Sequence, residues 1–250
     1  MTYAKRLTQY LLFIIAKLYL TRHHPRIIVV SGSTNRQAVK EAIGERLRKH
    51  FTVRISPKNL NAELGVPMSI ARIPSGGRTF FGWLRSLGIG LVHSITGNCD
   101  DVLILEYAVS HPRDMRYLLR LAHPDCVVLT DVTPEYVTTF GTLEKKAQEY
   151  QDLLRHITVG GLAVLNADDA RIRVLRVLPN VRAVTYGITH DAIYRGERVA
   201  TNKNTSTFTL TTPEIQDKTI VGDYFGKSAI YAYLAAEAVF THAHTNWKKN

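Results

Sequence analysis

Cysteine is nearly absent. Two residues in 250, Cys99 and Cys126, exclude a disulfide scaffold. They form no Cys-x-x-Cys pair, and two thiols cannot close a cysteine zinc site. Such sparse usage fits a reducing cytosol. Acidic residues are also few: 21 Asp+Glu stand against 32 Lys+Arg, a formal net charge of +11 with His neutral. There is no internal repeat and no long low-complexity tract. With 45% apolar and 21% charged residues, wholesale disorder and fibrous repeats are excluded. The length suffices for one large core or two small ones.

Long hydrophobic runs are missing too. The longest candidate, residues 10–20, reads YLLFIIAKLYL. It is about half the ~20 residues a membrane span needs, and Lys17 interrupts it. No small-residue cleavage site follows, which argues against a signal peptide. Residues 1–50 carry ten Lys/Arg and two Asp/Glu, so most of the excess charge sits there. Two readings of this segment stand: a helix packed on the following domain, or a helix on an anionic membrane surface. In the second, Lys5, Arg6, Lys17 and Arg22 meet head groups, giving peripheral membrane contact through residues 1–22.

From residue 26 the pattern becomes strand, turn, helix, repeated. Short β-branched runs occur at 26–31, 51–55, 102–106, 126–130, 162–166 and 183–186. Helical spacing falls at 38–49, 113–122, 143–157, 170–178 and 227–240. Alternation of this kind predicts an α/β fold: a doubly wound, mostly parallel sheet covered on both faces. Residues 72–100, rich in Gly and Ser, read as an excursion from that sheet. Residues 205–212 read as antiparallel edge strands.

In such a sheet ligands bind at the carboxyl ends of the strands. The first strand ends in Gly32-Ser-Thr-Asn-Arg-Gln37. A turn entering a helix offers backbone N–H groups and a positive helix end to a phosphate. Working phosphate loops end in Gly-Lys-Ser/Thr, and here those places hold Asn35, Arg36 and Gln37. The candidate nucleotide-binding residues are therefore Gly32, Ser33, Thr34, Asn35, Arg36 and Gln37. The alternative is an ordinary strand-to-helix turn.

Several further blocks occur in order, and together the chain resembles the ATP-binding central domain of the Mur ligase family. Its likeness is greatest to the branch that adds D-alanyl-D-alanine to a UDP-muramoyl tripeptide. Val30-Ser-Gly-Ser33 with Lys40-Glu-Ala-Ile43 is similar to T-G-S-x-G-K-T-x-x-K-E-x-I. Ser56-Pro-Lys-Asn-Leu-Asn-Ala-Glu-Leu-Gly-Val-Pro67 is similar to G-N-x-N-N-E-I-G-V-P. Leu105-Glu106 with Ser110-His-Pro112 is similar to E-x-G-A-x-x-P-G. Thr130-Asp-Val-Thr-Pro134 is similar to T-N-I-x-P, and Gly160-Gly-Leu-Ala-Val-Leu-Asn-Ala-Asp-Asp169 follows. The resemblance spans about residues 26–240. It leaves residues 1–25 as a basic amphipathic helix and 241–250 as a polar tail.

The resemblance implies ATP and Mg2+ as cofactors, a UDP-muramoyl-peptide precursor as partner, a cytoplasmic location and amide-forming ligation through an acyl phosphate. It places Glu106 on the metal and Asn166 near the adenine. Departures fall on the chemistry. Arg36 stands for the loop Lys; it keeps the charge but not the shape. Gln37 replaces the metal-binding hydroxyl, and Tyr136, Tyr150 and Ser228 stand where the family has His, a carbamoylated Lys and His. Complete ligases of this kind have an N-terminal UDP-sugar domain and a C-terminal domain that closes over ATP. Here a helix of about 25 residues precedes the central domain and the sequence stops at Asn250. The expectation is impaired or lost ligation, a separate chain supplying the other domains, or a pseudoenzyme acting as a nucleotide-binding or structural partner.

Other candidates have ordinary readings. Glu106 caps a helix or pairs with an Arg if it holds no metal. His111 is a weak catalytic candidate and more simply a surface residue. Asp168 and Asp169 begin the next helix. Arg171, Arg173 and Arg176 form a solvated face without the aromatic platform that nucleic-acid binding needs. His242 and His244 belong to a solvated tail.

Overall fold

The computed structural model describes residues 3–77, 79–97, 99–201, 205–222 and 226–247. In chain order the elements are α1 Tyr3–His23, β1 Arg26–Ser31, α2 Arg36–Leu47, β2 Val53–Ile55, α3 Gly65–Ile70, α4 Phe80–Thr96 and β3 Val102–Tyr107. There follow α5 Asp114–Leu121, β4 Cys126–Leu129, α6 Val137–Phe140, α7 Leu143–Arg155, β5 Leu162–Asn166, α8 Ala170–Arg173 and β6 Arg182–Gly187. Strands β7 Tyr194–Thr201, β8 Ser206–Thr211 and β9 Lys218–Gly222 lead to α9 Lys227–Asn246.

Among the described residues all nine strands form one sheet, in the order β2-β3-β1-β4-β5-β6-β7-β8-β9. Pairing is parallel from β2 through β7 and antiparallel in β7-β8-β9. The fold is therefore the expected doubly wound α/β sheet with an N-terminal helix.

Alternate side chains of the central strands enter opposite cores, as the pleat requires. Ile27 and Val29 of β1 and Leu103 and Leu105 of β3 face α1, α3, α5 and α7. Ile28, Val30, Val102 and Ile104 face α2 and α9. Strands β1 and β4 lie side by side, yet α2 after β1 and α7 after β4 cover opposite faces. The chain thus parts at their carboxyl ends, opening a crevice between residues 32–37 and 130–133.

Three expectations need correction, and the excursion at 72–100 gains a helix. The helix expected at 170–178 stops at Arg173. Gln151 takes both backbone groups of Arg176, from its N–H at 2.8 Å and to its C=O at 2.7 Å, and Pro179 disfavours helix at Leu178. The excursion at 72–100 contains a 17-residue helix, α4, whose N-cap Thr79 accepts from Gly82 N. Helix α9 continues through the expected tail to Asn246, burying His242 and seating Trp247 edge-on to Phe51. Asp168 does not begin α8, as described below. The side chain of Lys5 and residues 248–250 lie outside the described residues.

Helix α1 packs on the domain. It buries Leu12, Ile15, Ala16 and Tyr19, and its last turn is tied to α4 by Arg22 donating to Ile95 O at 2.8 Å. Tyr19 donates to Asp100, which also receives Arg54 and Arg72. The packed-helix reading of this segment holds for that face.

Candidate functional site

Gly32 ends β1 at φ +130°, and an added Cβ would lie 2.1 Å from Thr130 Oγ1. Only glycine lets the turn pass this close to the end of β4. Asn35 then takes a left-handed conformation (φ 60°) at the N-cap of α2, which Asn tolerates. Its side-chain amide donates to Ser228 O at 2.8 Å, tying the loop to the start of α9.

Two of the loop's backbone donors are already taken. Asp131 Oδ1 accepts from Ser33 N at 3.0 Å and Thr34 N at 2.7 Å, and Oδ2 accepts from Thr34 Oγ1 at 2.5 Å. A carboxylate on a turn entering a helix is an anion on an anion site. Arg36, placed by sequence at the phosphates, folds inward instead. Its Nη1 donates to the carbonyls of Gly32 and Ser33, and its Nε to Glu106 at 3.0 Å.

Glu106, at the end of β3, is buried and held by three side chains. Lys40 Nζ lies 2.8 Å from Oε2, and Asn61 donates to Oε1 at 2.8 Å. Burial alone would raise its pKa, but hydrogen bonds from Lys40 and Asn61, with Arg36 behind them, hold it below the usual carboxylate range. Lys40 itself is fully buried and also donates to Ser56 O and Oγ. Glu106 thus pairs with both Arg36 and Lys40.

A second buried cation stands across the loop. Lys146 of α7 donates to Ser33 Oγ at 2.9 Å and to Glu135 O at 2.7 Å. Burial lowers its pKa. One turn on, Tyr150 is buried in the core, and its hydroxyl pKa is raised by burial.

Two clefts flank the loop. One, of about 380 Å³, is lined by Ser33, Arg36, Gln37, Asn61 and Glu106 among others. The other, of about 230 Å³, is lined by Thr34, Asn166, Tyr186, Ser228 and Tyr231 with three aspartates, Asp131, Asp168 and Asp169. Asn166, at the end of β5, donates to Thr130 O at 2.6 Å and accepts from Asp168 N. Asp169 caps α8 and accepts from Val132 N. Asp168 instead reaches the 188–190 turn, accepting from the N–H groups of Ile188, Thr189 and His190 and from Tyr231 Oη at 2.7 Å. Burial opposes ionisation there, but these donors outweigh it and drive the pKa down.

His111 is not brought to the loop. Its exposed ring lies 3.1 Å from Ser110 Oγ at the start of α5 and lines neither cleft. Arg173 turns back to Ala167 O. Sequence reasoning missed Asp131 and Lys146. The signal for Asp131 was present, because Thr130-Asp stands where the resembled pattern has Thr-Asn.

The Mur ligase middle domain family matches residues 88–240, more than half of the chain. The chain belongs to this family. The UDP-N-acetylmuramoyl-tripeptide--D-alanyl-D-alanine ligase of Haemophilus influenzae is 22% identical over 229 residues, covering 90% of this chain and 44% of that protein. The Bacillus subtilis enzyme of the same name is 21% identical over 196 residues, covering 78% and 37%. Among solved structures, MurF from Acinetobacter baumannii superposes with a TM-score of 0.76 at 17% identity, covering 93% of this chain and 46% of that one. MurF ligase from Thermotoga maritima in complex with ADP gives 0.74 at 20%, covering 93% and 49%. The chain thus spans less than half the length of these relatives.

Measured as a Mur ligase nucleotide site, the crevice does not fit a magnesium triphosphate as it stands. Such a ligand needs free loop amides, an outward cation and a carboxylate open to metal. Here Asp131 takes the amides of Ser33 and Thr34, Arg36 serves the loop's own carbonyls, and Glu106 is neutralised by Lys40 and Arg36. Among the described residues no group of three His, Cys, Asp or Glu is arranged to hold a metal ion.

Proposed function

We propose that this Mur ligase central domain has lost phosphoryl transfer and serves the cytoplasmic synthesis of peptidoglycan precursors as a non-catalytic partner. The observation that carries the reading is Asp131 on the amides of Ser33 and Thr34. Its charge repels a phosphate from the groups that would bind it. Removal of one preorganised charge-stabilising group costs about 10²–10³ in rate, and the loop, metal and second-cation positions are all altered here. The nearby cleft at Asn166 keeps room for part of a nucleoside. The partner in this reading is a UDP-muramoyl-peptide precursor, or a chain supplying the substrate domains.

A second reading, a ligase completed by another chain, has in its favour that Glu106 and Asn166 stand at their strand ends. The two are separated by phosphate release with ATP, magnesium, UDP-muramoyl tripeptide and D-alanyl-D-alanine. The purified chain is expected to release no phosphate above the no-enzyme control, and to add none to the release by a candidate partner ligase alone. Substrate-dependent release that Glu106→Gln abolishes would establish the ligase instead.

A further inference from the structure

Helices α1 and α4 pack against each other, with Ser94 donating to Ile15 O and Gly90 closing against Ile15 and Ile73. Neither contains an acidic residue. Their outer sides are apolar. On α1, Leu7, Tyr10, Leu11 and Ile14 are exposed at helical spacing. On α4, Phe80 and Phe81 are 76% and 79% exposed, with Leu84 and Val92 following along the helix. Ten of the sixteen exposed large hydrophobics among the described residues lie on these two helices. Scattered exposed apolar residues are ordinary, but a cluster of this kind marks an interaction surface.

The charge beside it identifies the occupant. Arg6 of α1 and Arg120 of α5 share a cleft of about 240 Å³ with Tyr10, Phe13 and Tyr117. Arg113 and Arg116 line the adjoining cleft with Tyr117 and Arg120. Among the described residues none of these four guanidinium groups pairs with a carboxylate. Docking a second copy face to face would set this cluster against itself. A surface that is apolar in depth and anionic on top satisfies both features. Among the described residues no helix is long and apolar enough to cross a membrane, so the helices would lie in the interface rather than span it.

We propose that the α1–α4 face, with the α5 arginines at its border, docks on an anionic lipid bilayer. Tyr10, Phe80 and Phe81 enter the head-group boundary, and Arg6, Arg116 and Arg120 meet lipid phosphates. This surface is separate from the β1/β4 crevice, so its test is independent of nucleotide binding.

The experiment is flotation of the full chain with phosphatidylcholine vesicles, with and without phosphatidylglycerol. The expected result is association with the anionic vesicles only, falling as salt is raised. Arg116→Glu/Arg120→Glu and Phe80→Ser/Phe81→Ser should each weaken association by about tenfold or more. Both pairs are exposed, and circular dichroism checks that the variants stay folded. Absence of wild-type association would overturn the proposal. So would equal binding to neutral vesicles, or a dimer in sedimentation that the phenylalanine variant dissolves while vesicle binding is unchanged.

Discussion

Asp131 Oδ1 lies 2.7 Å from the backbone N of Thr34, so the loop that opens α2 is held by a side chain from the neighbouring strand's end. The same carboxylate reaches Ser33 N and the Thr34 hydroxyl. An internal anion therefore occupies donors that an open loop would offer to phosphate. Charge-assisted contacts of this kind are the stronger class of hydrogen bond.

Asp131→Asn removes the charge but keeps one acceptor oxygen for the loop. ATP affinity should rise by about tenfold or more over the wild type, with the fold intact. Fluorescent-nucleotide titration reads this directly. Unchanged affinity would show that the carboxylate is not what keeps phosphate out.

Arg36→Ala should cost stability rather than nucleotide affinity, because Arg36 serves Glu106 and two loop carbonyls. The expected loss is about 1–3 kcal/mol in denaturant unfolding. A drop in affinity with no loss of stability would mean that the side chain faces the ligand.

Lys40→Met breaks a fully buried ion pair and leaves Glu106 with Arg36 and Asn61 alone. Such breaks cost about 3–5 kcal/mol. Lys40→Met/Glu106→Gln should recover part of that loss, since the uncompensated charge is gone. Additive losses would contradict the coupling.

Acid should unfold the protein through Glu106 and Asp168. Both carboxyls have folded pKa values held below their ordinary ones. Each therefore adds stability that is present above the unfolded pKa, about 4, and is lost as pH falls through the lower folded value. Melting temperature should fall steeply below about pH 4. Asp168→Asn should lower it at neutral pH and flatten the acid slope.

The sheet was legible because its central strands are uninterrupted apolar runs between helical periods, as at residues 26–31 and 126–130. The loop's place followed from Gly32 ending the first of them. Helix α4 was obscured by Gly82, Gly88 and Gly90, of which Gly90 allows close packing on Ile73. The early end of α8 depended on Gln151, 25 residues from Arg176, and long-range pairing of that kind leaves no local signal. The burial of His242 depended on Trp247 returning to Phe51. At the site, residue types showed which positions had changed but not where the new side chains turn. Arg36 reads as a phosphate ligand until its carbonyl partners are seen, and nothing sets Lys146 apart until its contact with Ser33 is seen.

Calorimetric titration of ATP into the wild-type chain, with and without magnesium, tests the central claim most directly. An occupied loop and a neutralised Glu106 predict no magnesium-dependent binding even at millimolar ATP. Micromolar binding that requires magnesium would contradict it and place this chain among working nucleotide sites.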